Sequence, residues 1–362
     1  MLASRPIRRA LAAAFLALTP FTFAGCDSND EDNDGEMATP NAQNRAVLDA
    51  LAALGARPGE GLTPEQARTQ PSVADAVRAV LVQQGRSTAP EPVGSTADRT
   101  IPGPGGTTLP VRVYTPAGTA PVGGWPLVVY FHGGGWVIAT IDTYDSSARA
   151  LTNAARAVVL SVEYRKGPEN KFPAAHDDAN ASYAWALANA ASVGANAAKI
   201  AVAGESAGGN LAANVPLYAK ANGLRLPVHQ LLVYPIAGSD FDTESYVENA
   251  NAMPLSRAGV LWFGERYFRS PADAQDPRIN LVGRPLTDLA GLPTATVIGA
   301  EIDPLRSEGR AYADRLDDAD VRVRYRLYKR VTHEFFGTGA VVKEGREAVA
   351  YAAEGLRASF AD

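Results

Sequence analysis

The chain lacks most of the residues on which metal and redox chemistry depend. Among 362 residues there are one cysteine and four histidines, scattered along the chain without a spacing typical of a zinc site. A single cysteine cannot form an intramolecular disulfide bond. The formal net charge of −5 argues against a basic face that could bind nucleic acid. The sequence therefore predicts no metal ion, no cofactor and no nucleic-acid partner.

The N-terminus has the pattern of an export signal. Three arginines within residues 5–9 precede the apolar run 10–18, which is too short to span a bilayer permanently. Cys26 follows an Ala-Gly pair, which resembles the lipobox of bacterial lipoproteins. We expect residues 1–25 to be a signal peptide and Cys26 to carry a lipid that anchors a cell-envelope lipoprotein to the membrane. The alternative is simple export to the periplasm or the medium.

An acidic stretch separates this signal from the remainder of the chain. Residues 27–36 are almost wholly acidic and polar, so they cannot bury apolar surface. We expect residues 26–43 to be a disordered tether, which self-repulsion keeps extended.

Strands and helices alternate along most of the remaining chain. Short apolar runs bounded by Gly or Pro predict strands over 111–114, 127–131, 158–162, 200–203, 229–234, 294–298 and 323–328. Alanine-rich segments between them predict helices over 146–155, 174–190 and 207–222. This alternation predicts an α/β fold with a mostly parallel central sheet flanked by helices. The core is expected over 101–239 and 271–362.

Two helical segments stand outside this alternation. Residues 44–100 begin with apolar positions at helical spacing and predict two amphipathic helices before the sheet. Residues 240–270 interrupt the core with an aromatic-rich helical stretch. An insertion at the carboxyl ends of the strands would cover the site, so we expect the two segments to form a cap. A helix merely packed on the sheet is the alternative for 240–270.

One serine lies in a strand, turn and helix context. Residues 200–203 lead into Gly-Glu-Ser206-Ala-Gly-Gly, and a helix-forming segment follows. A serine on such a sharp turn has a strained backbone and an exposed hydroxyl, and side chains at the flanking glycines would collide with neighbouring elements. Ser206 is therefore the candidate nucleophile; a glycine-rich helix start that binds nothing or binds an anion is the alternative.

A serine hydroxyl needs a base and an acid that orients the base. Where the serine lies on such a strand-to-helix turn of an α/β fold, the acid and then the histidine follow the serine along the chain. His229 begins a predicted strand, whereas His333 follows the last one, so His333 is the candidate base. Asp303 follows an apolar run at a strand-to-helix turn and is the candidate acid. Glu301 is the alternative acid, and a helix cap is the alternative role of Asp303.

A glycine-rich loop upstream offers backbone amides. Three glycines follow His132 directly after a predicted buried strand, and such a loop lets amides point at a developing oxyanion. Ala207, next to the serine, is expected to supply a further amide. His132 is expected to brace the loop, and the His-Asp-Asp run 176–178 is interpreted as a helix start, because adjacent helical residues point in different directions and cannot chelate one ion.

These motifs, taken in order, resemble those of the hormone-sensitive-lipase-like esterases, also called family IV of bacterial lipolytic enzymes. The segments that carry the likeness are 132–135, 204–209, 303–305 and His333, with 163–165, 168–169, 172–175, 276–278 and 291–293. They extend over about residues 110–336, most of the chain after the signal. The resemblance implies the α/β-hydrolase fold with a helical cap and a serine carboxylesterase activity.

The resemblance also implies residue roles. Ser206, Asp303 and His333 would form a catalytic triad, and the amides of Gly134, Gly135 and Ala207 would form the oxyanion hole. The expected substrates are small-molecule esters of short to medium acyl chains.

The sequence leaves several alternatives open. An amidase, a deacetylase or another acyl hydrolase could use the same residues, as could a non-catalytic ligand-binding protein of this fold. Whether the chain forms a homodimer is also open. The chain departs from the family pattern at Glu334, where glycine is usual, and at the Lys-Gly pair 166–167, where Leu-Ala is common.

Overall fold

The computed structural model describes residues 38–361. The predicted signal peptide 1–25, the predicted lipidation site Cys26 and most of the predicted tether 26–43 lie outside the described residues. Among the helices formed by residues 38–361, none is both long enough and apolar enough to cross a membrane.

One sheet of eight strands forms the centre of the described region. The strands are β1 (Ser95–Pro102), β2 (Thr108–Thr115), β3 (Trp125–Phe131), β4 (Val158–Val162), β5 (Ala195–Glu205), β6 (Gln230–Val233), β7 (Ala295–Ile302) and β8 (Val323–Thr332). Their order is β1-β2-β4-β3-β5-β6-β7-β8. β2 is antiparallel to β1 and β4, and all other pairs are parallel. The carboxyl ends of β3 to β8 therefore meet at one edge.

Helices cover both faces of this sheet. They are α1 (Ala42–Ala53), α2 (Pro64–Thr69), α3 (Val73–Gln83), α4 (Asp145–Ala155), α5 (Ala174–Asn189), α6 (Ala207–Ala221), α7 (Glu244–Glu248), α8 (Arg257–Tyr267), α9 (Leu286–Leu289), α10 (Arg306–Asp318) and α11 (Lys343–Ala361). Alternate residues of β3 pack into two apolar clusters, Leu127 and Val129 into one and Val128 and Tyr130 into the other. A strand buried on both faces explains its unbroken apolar sequence. The predicted α/β fold is confirmed.

All seven predicted strands are present, and β1 is an additional strand that begins within the segment 44–100. The helices of this segment end at Gln83, and Ser95–Pro102 pairs with β2. In β1 only Ile101 is buried, so the strand lacks the alternation by which sequence reveals strands. It forms at the sheet edge because β2 offers unpaired backbone groups.

The N-terminal region also begins earlier than predicted and has three helices instead of two. The side chain of Asn41 caps α1 by accepting from the amide of Asn44, and the Asn41 amide donates to the Arg330 carbonyl. Residues 41–43 are thus part of the folded region and not of the tether. α2 begins with Thr63 as its cap, where a capping box with Gln66 stabilises a helix of only six residues.

Candidate active site

Ser206 lies on a tight turn between β5 and α6. Its backbone has φ 57° and ψ −119°, a strained conformation for a residue with a side chain. A Cβ at Gly204 would collide with the Gly208 carbonyl, and a Cβ at Gly208 would collide with the end of β3 at Phe131. Only glycine fits at both flanking positions, so the turn requires the observed sequence pattern.

Three side chains meet at the carboxyl ends of the strands. Ser206 Oγ lies 2.9 Å from His333 Nε2, and His333 Nδ1 lies 2.7 Å from Asp303 Oδ2. Asp303 directly follows β7 and His333 directly follows β8, so the parallel sheet brings them together across 30 residues of sequence. The structure thus brings together the serine, acid and base predicted from sequence, and the arrangement can transfer the hydroxyl proton to the imidazole.

The alternative acid, Glu301, is placed elsewhere. Its carboxylate accepts a hydrogen bond from the Arg330 amide at 2.6 Å. Asp303 is fully buried, and its other oxygen accepts from the Leu305 amide at 2.9 Å. The acid that contacts His333 is therefore Asp303, whose carboxylate is held in place by the Leu305 amide.

The surroundings of His333 favour its charged form. Burial lowers the pKa of His333, but the charge of Asp303 and the hydrogen bond to it, together with the carboxyls of Glu334 and Glu205, raise the pKa above its ordinary value. A base of raised pKa accepts the hydroxyl proton more readily.

The predicted glycine loop lies beside Ser206. Gly134 and Gly135 have φ values of 97° and 58°, a region that favours glycine. Among residues 38–361 no backbone carbonyl accepts from either amide, while the Gly134 carbonyl accepts from Val137 and Ile138. Ala207 begins α6, so its amide has no acceptor within the helix. All three predicted amides are free to serve an oxyanion.

His132 and Tyr164 brace this loop. His132 Nδ1 lies 2.7 Å from the Gly133 carbonyl, and the Tyr164 hydroxyl donates to the His132 carbonyl at 2.8 Å. Burial lowers the pKa of His132 to about 4, so the ring is neutral at pH 7. His132 contacts the loop, whereas the Ser206 hydroxyl is hydrogen-bonded to His333, so His132 supports the loop.

Sequence reasoning missed a polar cluster behind His333. The hydroxyls of Tyr130 and Tyr234 each donate to Glu205 at 2.5 Å, and the Tyr234 ring lies 4.5 Å from the His333 ring. The Tyr144 hydroxyl donates to Glu334 at 2.5 Å. No local motif marks these tyrosines, because each pair is separated by 29 to 190 residues.

A cavity of about 560 Å³ opens above Ser206 and His333. Residues of both segments expected to form the cap line it, and most of these are apolar, for example Leu51, Pro58, Phe241, Leu255, Val260 and Phe263. The segments 44–100 and 240–270 thus both contribute residues to the walls of this cavity. A small apolar substrate would be buried there next to the Ser206 hydroxyl.

Arg68 on α2 connects the N-terminal helices to the glycine loop. Its Nε donates to the Val137 carbonyl at 2.8 Å, and its Nη2 donates to the Gly167 carbonyl at 2.6 Å. The guanidinium also forms a bidentate pair with Glu169. One side chain therefore fixes an N-terminal helix against the loop that follows Gly134 and Gly135.

The run 176–178 holds no metal-site geometry. His176 contacts the Tyr267 hydroxyl and Asn210, and Asp178 pairs with Arg165 at 2.7 Å. Across residues 38–361 no group of three or more His, Cys, Asp or Glu side chains is placed to hold a metal ion.

A mostly parallel eight-stranded sheet, with a serine on the tight turn after β5 and an acid and a histidine after β7 and β8, defines the class of α/β hydrolases. The family model for the alpha/beta hydrolase fold matches residues 128–337. Carboxylesterase NlhH of Mycobacterium tuberculosis is 40% identical over 69% of this chain and 78% of its own length. Ethyl acetate hydrolase of Pseudomonas putida is 34% identical over 70% of this chain and 79% of its own length.

Solved structures of esterases superpose on this chain. A hyperthermophilic esterase from the archaeon Pyrobaculum calidifontis superposes with a TM-score of 0.78 at 36% identity, covering 89% of this chain and 99% of the esterase. A thermostable esterase from Pseudomonas putida gives a TM-score of 0.81 at 30% identity, covering 90% and 99%. The chain belongs to the hormone-sensitive-lipase-like esterases of the α/β-hydrolase fold. It is a serine carboxylic ester hydrolase.

Proposed function

We propose that the chain hydrolyses esters of short to medium acyl chains through Ser206 as nucleophile, His333 as general base and Asp303 as the acid that orients His333. The observation that supports this most strongly is the hydrogen-bonded series from Ser206 Oγ to His333 Nε2 at 2.9 Å and from His333 Nδ1 to Asp303 at 2.7 Å. It lies at the floor of a cavity with apolar walls.

In the proposed cycle, Ser206 Oγ attacks the ester carbonyl while His333 takes the hydroxyl proton. The oxyanion receives hydrogen bonds from the amides of Gly134, Gly135 and Ala207, each of which commonly contributes about 3 kcal/mol in such sites. His333 then gives its proton to the leaving alcohol. A water molecule, deprotonated by His333, then attacks the acyl carbonyl, and His333 returns the proton to Ser206 Oγ as the acid leaves. No cofactor enters this cycle.

Cavity size supports the proposed chain length. A volume of about 560 Å³ lies within the range of about 300–1,000 Å³ for small-molecule sites, so the space for an acyl chain is limited. The aromatic ring of Phe263 packs so closely on the glycine loop that a Cβ at Gly135 would collide with it. We therefore expect turnover to peak at short acyl chains and to decline when the chain outgrows the cavity.

The test is hydrolysis of p-nitrophenyl esters of increasing acyl length by residues 38–362, with Ser206→Ala as the matched variant. We expect turnover that peaks at short chains and is lost in Ser206→Ala, because removal of a triad serine costs about 10⁶ in kcat. Retained turnover in a folded Ser206→Ala variant would contradict the nucleophile assignment. A peak at long chains would contradict the proposed chain length.

We further propose that the chain is exported and lipidated at Cys26. The support is the pattern of arginines, apolar run and Ala-Gly-Cys in residues 5–26. In a bacterial host, we expect the full chain to sediment with membranes and Cys26→Ser to appear in the soluble fraction. Equal distribution of both forms would count against lipidation and leave plain export.

A further inference from the structure

Glu334 follows His333 in a backbone conformation that suits glycine better. Its φ is +72°, in the left-handed region that side chains make unfavourable. A glutamate at this position therefore causes local backbone strain. The contacts of its carboxyl must stabilise this conformation.

Glu334 lies at the wall of the substrate cavity. Glu334, Tyr144, Ser206 and His333 all line the cavity, and Glu334 is only partly buried. The Tyr144 hydroxyl donates to Oε1 at 2.5 Å. Within residues 38–361 this is the one hydrogen bond that the carboxyl receives, so Oε2 has capacity for a further partner.

The cavity offers little else to satisfy this carboxyl. Most of its other lining is apolar, and the titratable groups that interact with Glu334 include His333, Tyr144, Asp303 and Glu205. Burial raises the pKa of Glu334, while His333 and the hydrogen bond from Tyr144 act in the opposite direction. A carboxyl oxygen that is shielded from solvent and lacks a hydrogen-bond partner is costly. A ligand hydroxyl pairs with either protonation state, because it can both donate and accept.

We propose that Glu334 and Tyr144 form a polar subsite that binds a hydroxyl group of the substrate close to the scissile ester. The inference rests on the proposed function and narrows its substrate class to esters with a hydroxyl near the carbonyl, on either the acyl or the alcohol part. Glu334 is then a specificity-determining residue beside the catalytic base.

The experiment compares three esters that differ by one hydroxyl: ethyl butanoate, ethyl 3-hydroxybutanoate and 2-hydroxyethyl butanoate. Acid release is followed at constant pH for the wild type, Glu334→Gly and Glu334→Gln. Glycine suits the φ of this position and keeps the turn intact, and glutamine keeps the shape of the side chain. Glu354→Gln is the matched control, because Glu354 is exposed on α11 in an ion pair with Arg324.

We expect the wild type to prefer at least one hydroxylated ester about tenfold in kcat/KM, since a site built to bind a hydroxyl discriminates against its absence. In Glu334→Gly this preference falls about tenfold, in Glu334→Gln it falls less, and in Glu354→Gln it is unchanged. A wild type that cleaves all three esters equally overturns the subsite. An equal loss of kcat/KM on all three esters in Glu334→Gly also overturns the subsite, because Glu334 would then act through His333 and not on the substrate hydroxyl. If the wild type cleaves none of these esters nor any p-nitrophenyl ester, the proposed function itself fails.

Discussion

Glu205 is a carboxyl buried beneath the site, with 1% of its surface exposed. Burial, followed by the charge of Glu334, raises the pKa of Glu205 to about 7, although the hydrogen bonds from Tyr130 and Tyr234 act in the opposite direction. The protein therefore folds around a group that resists ionisation near neutral pH. This should be visible in the pH dependence of stability.

The size and sign of the effect follow from the two pKa values. In the unfolded chain Glu205 titrates near 4.5, and in the folded protein near 7. A pKa difference of one corresponds to about 1.4 kcal/mol, so the rise corresponds to about 3 kcal/mol. Because the folded pKa is raised, this contribution to stability is fully present below about pH 4.5. It is lost as the pH rises to about 7 and does not return at higher pH.

Glu205→Gln removes the titration while keeping an acceptor and a donor for the two tyrosines. We expect its free energy of unfolding, relative to that of the wild type, to rise by about 3 kcal/mol between pH 4.5 and 8. Urea unfolding at several pH values, followed by circular dichroism, measures this difference. The control is Glu354→Gln, whose exposed carboxyl should give a nearly constant difference. Parallel pH curves for wild type and Glu205→Gln would refute the reasoning.

Two further variants probe the catalytic assignments through activity. Gly135→Ala should lower kcat at least tenfold, because the residue has φ +58° and a Cβ would collide with the Phe263 ring. Partial recovery of kcat in the double variant Gly135→Ala with Phe263→Ala would assign the loss to the collision. A full wild-type kcat in Gly135→Ala would contradict the role of this loop. Burial lowers the pKa of His333 and Asp303 raises it above its ordinary value, so Asp303→Asn should lower kcat about 10⁴-fold and move the acid limb of kcat/KM to lower pH. An unmoved acid limb in a pH–rate profile would count against Asp303 as the partner of His333.

Chemistry that depends on a local turn could be predicted from the sequence. The glycines around Ser206 and after His132 lie where a Cβ would collide with neighbouring atoms, so composition and position together reveal them. The choice of His333 over His229 needed only the order of strands, because residues after parallel strands meet at one sheet edge. The strands themselves were predictable where both faces are buried, as in β3 and β4.

Elements that owe their form to a partner were not predictable in this way. β1 has one buried residue and is a strand because β2 pairs with it. The six-residue α2 is too short to be stable alone, and Arg68 ties it to the Val137 and Gly167 carbonyls, 69 and 99 residues away in the sequence. The secondary-structure propensity of a segment does not depend on such distant partners, so it cannot predict elements that need them.

The sequence by itself determined the fold class, the serine on its turn, the histidine after the last strand and the glycine loop, because each of these is written in a short stretch of chain whose backbone geometry demands particular residues. Only the tertiary structure decided that Asp303 and not Glu301 contacts His333, that Tyr130 and Tyr234 hold Glu205, and that Tyr144 holds Glu334 at the cavity wall. These contacts join residues far apart in the chain, and their energies depend on burial and distance, which exist only once the sheet has assembled.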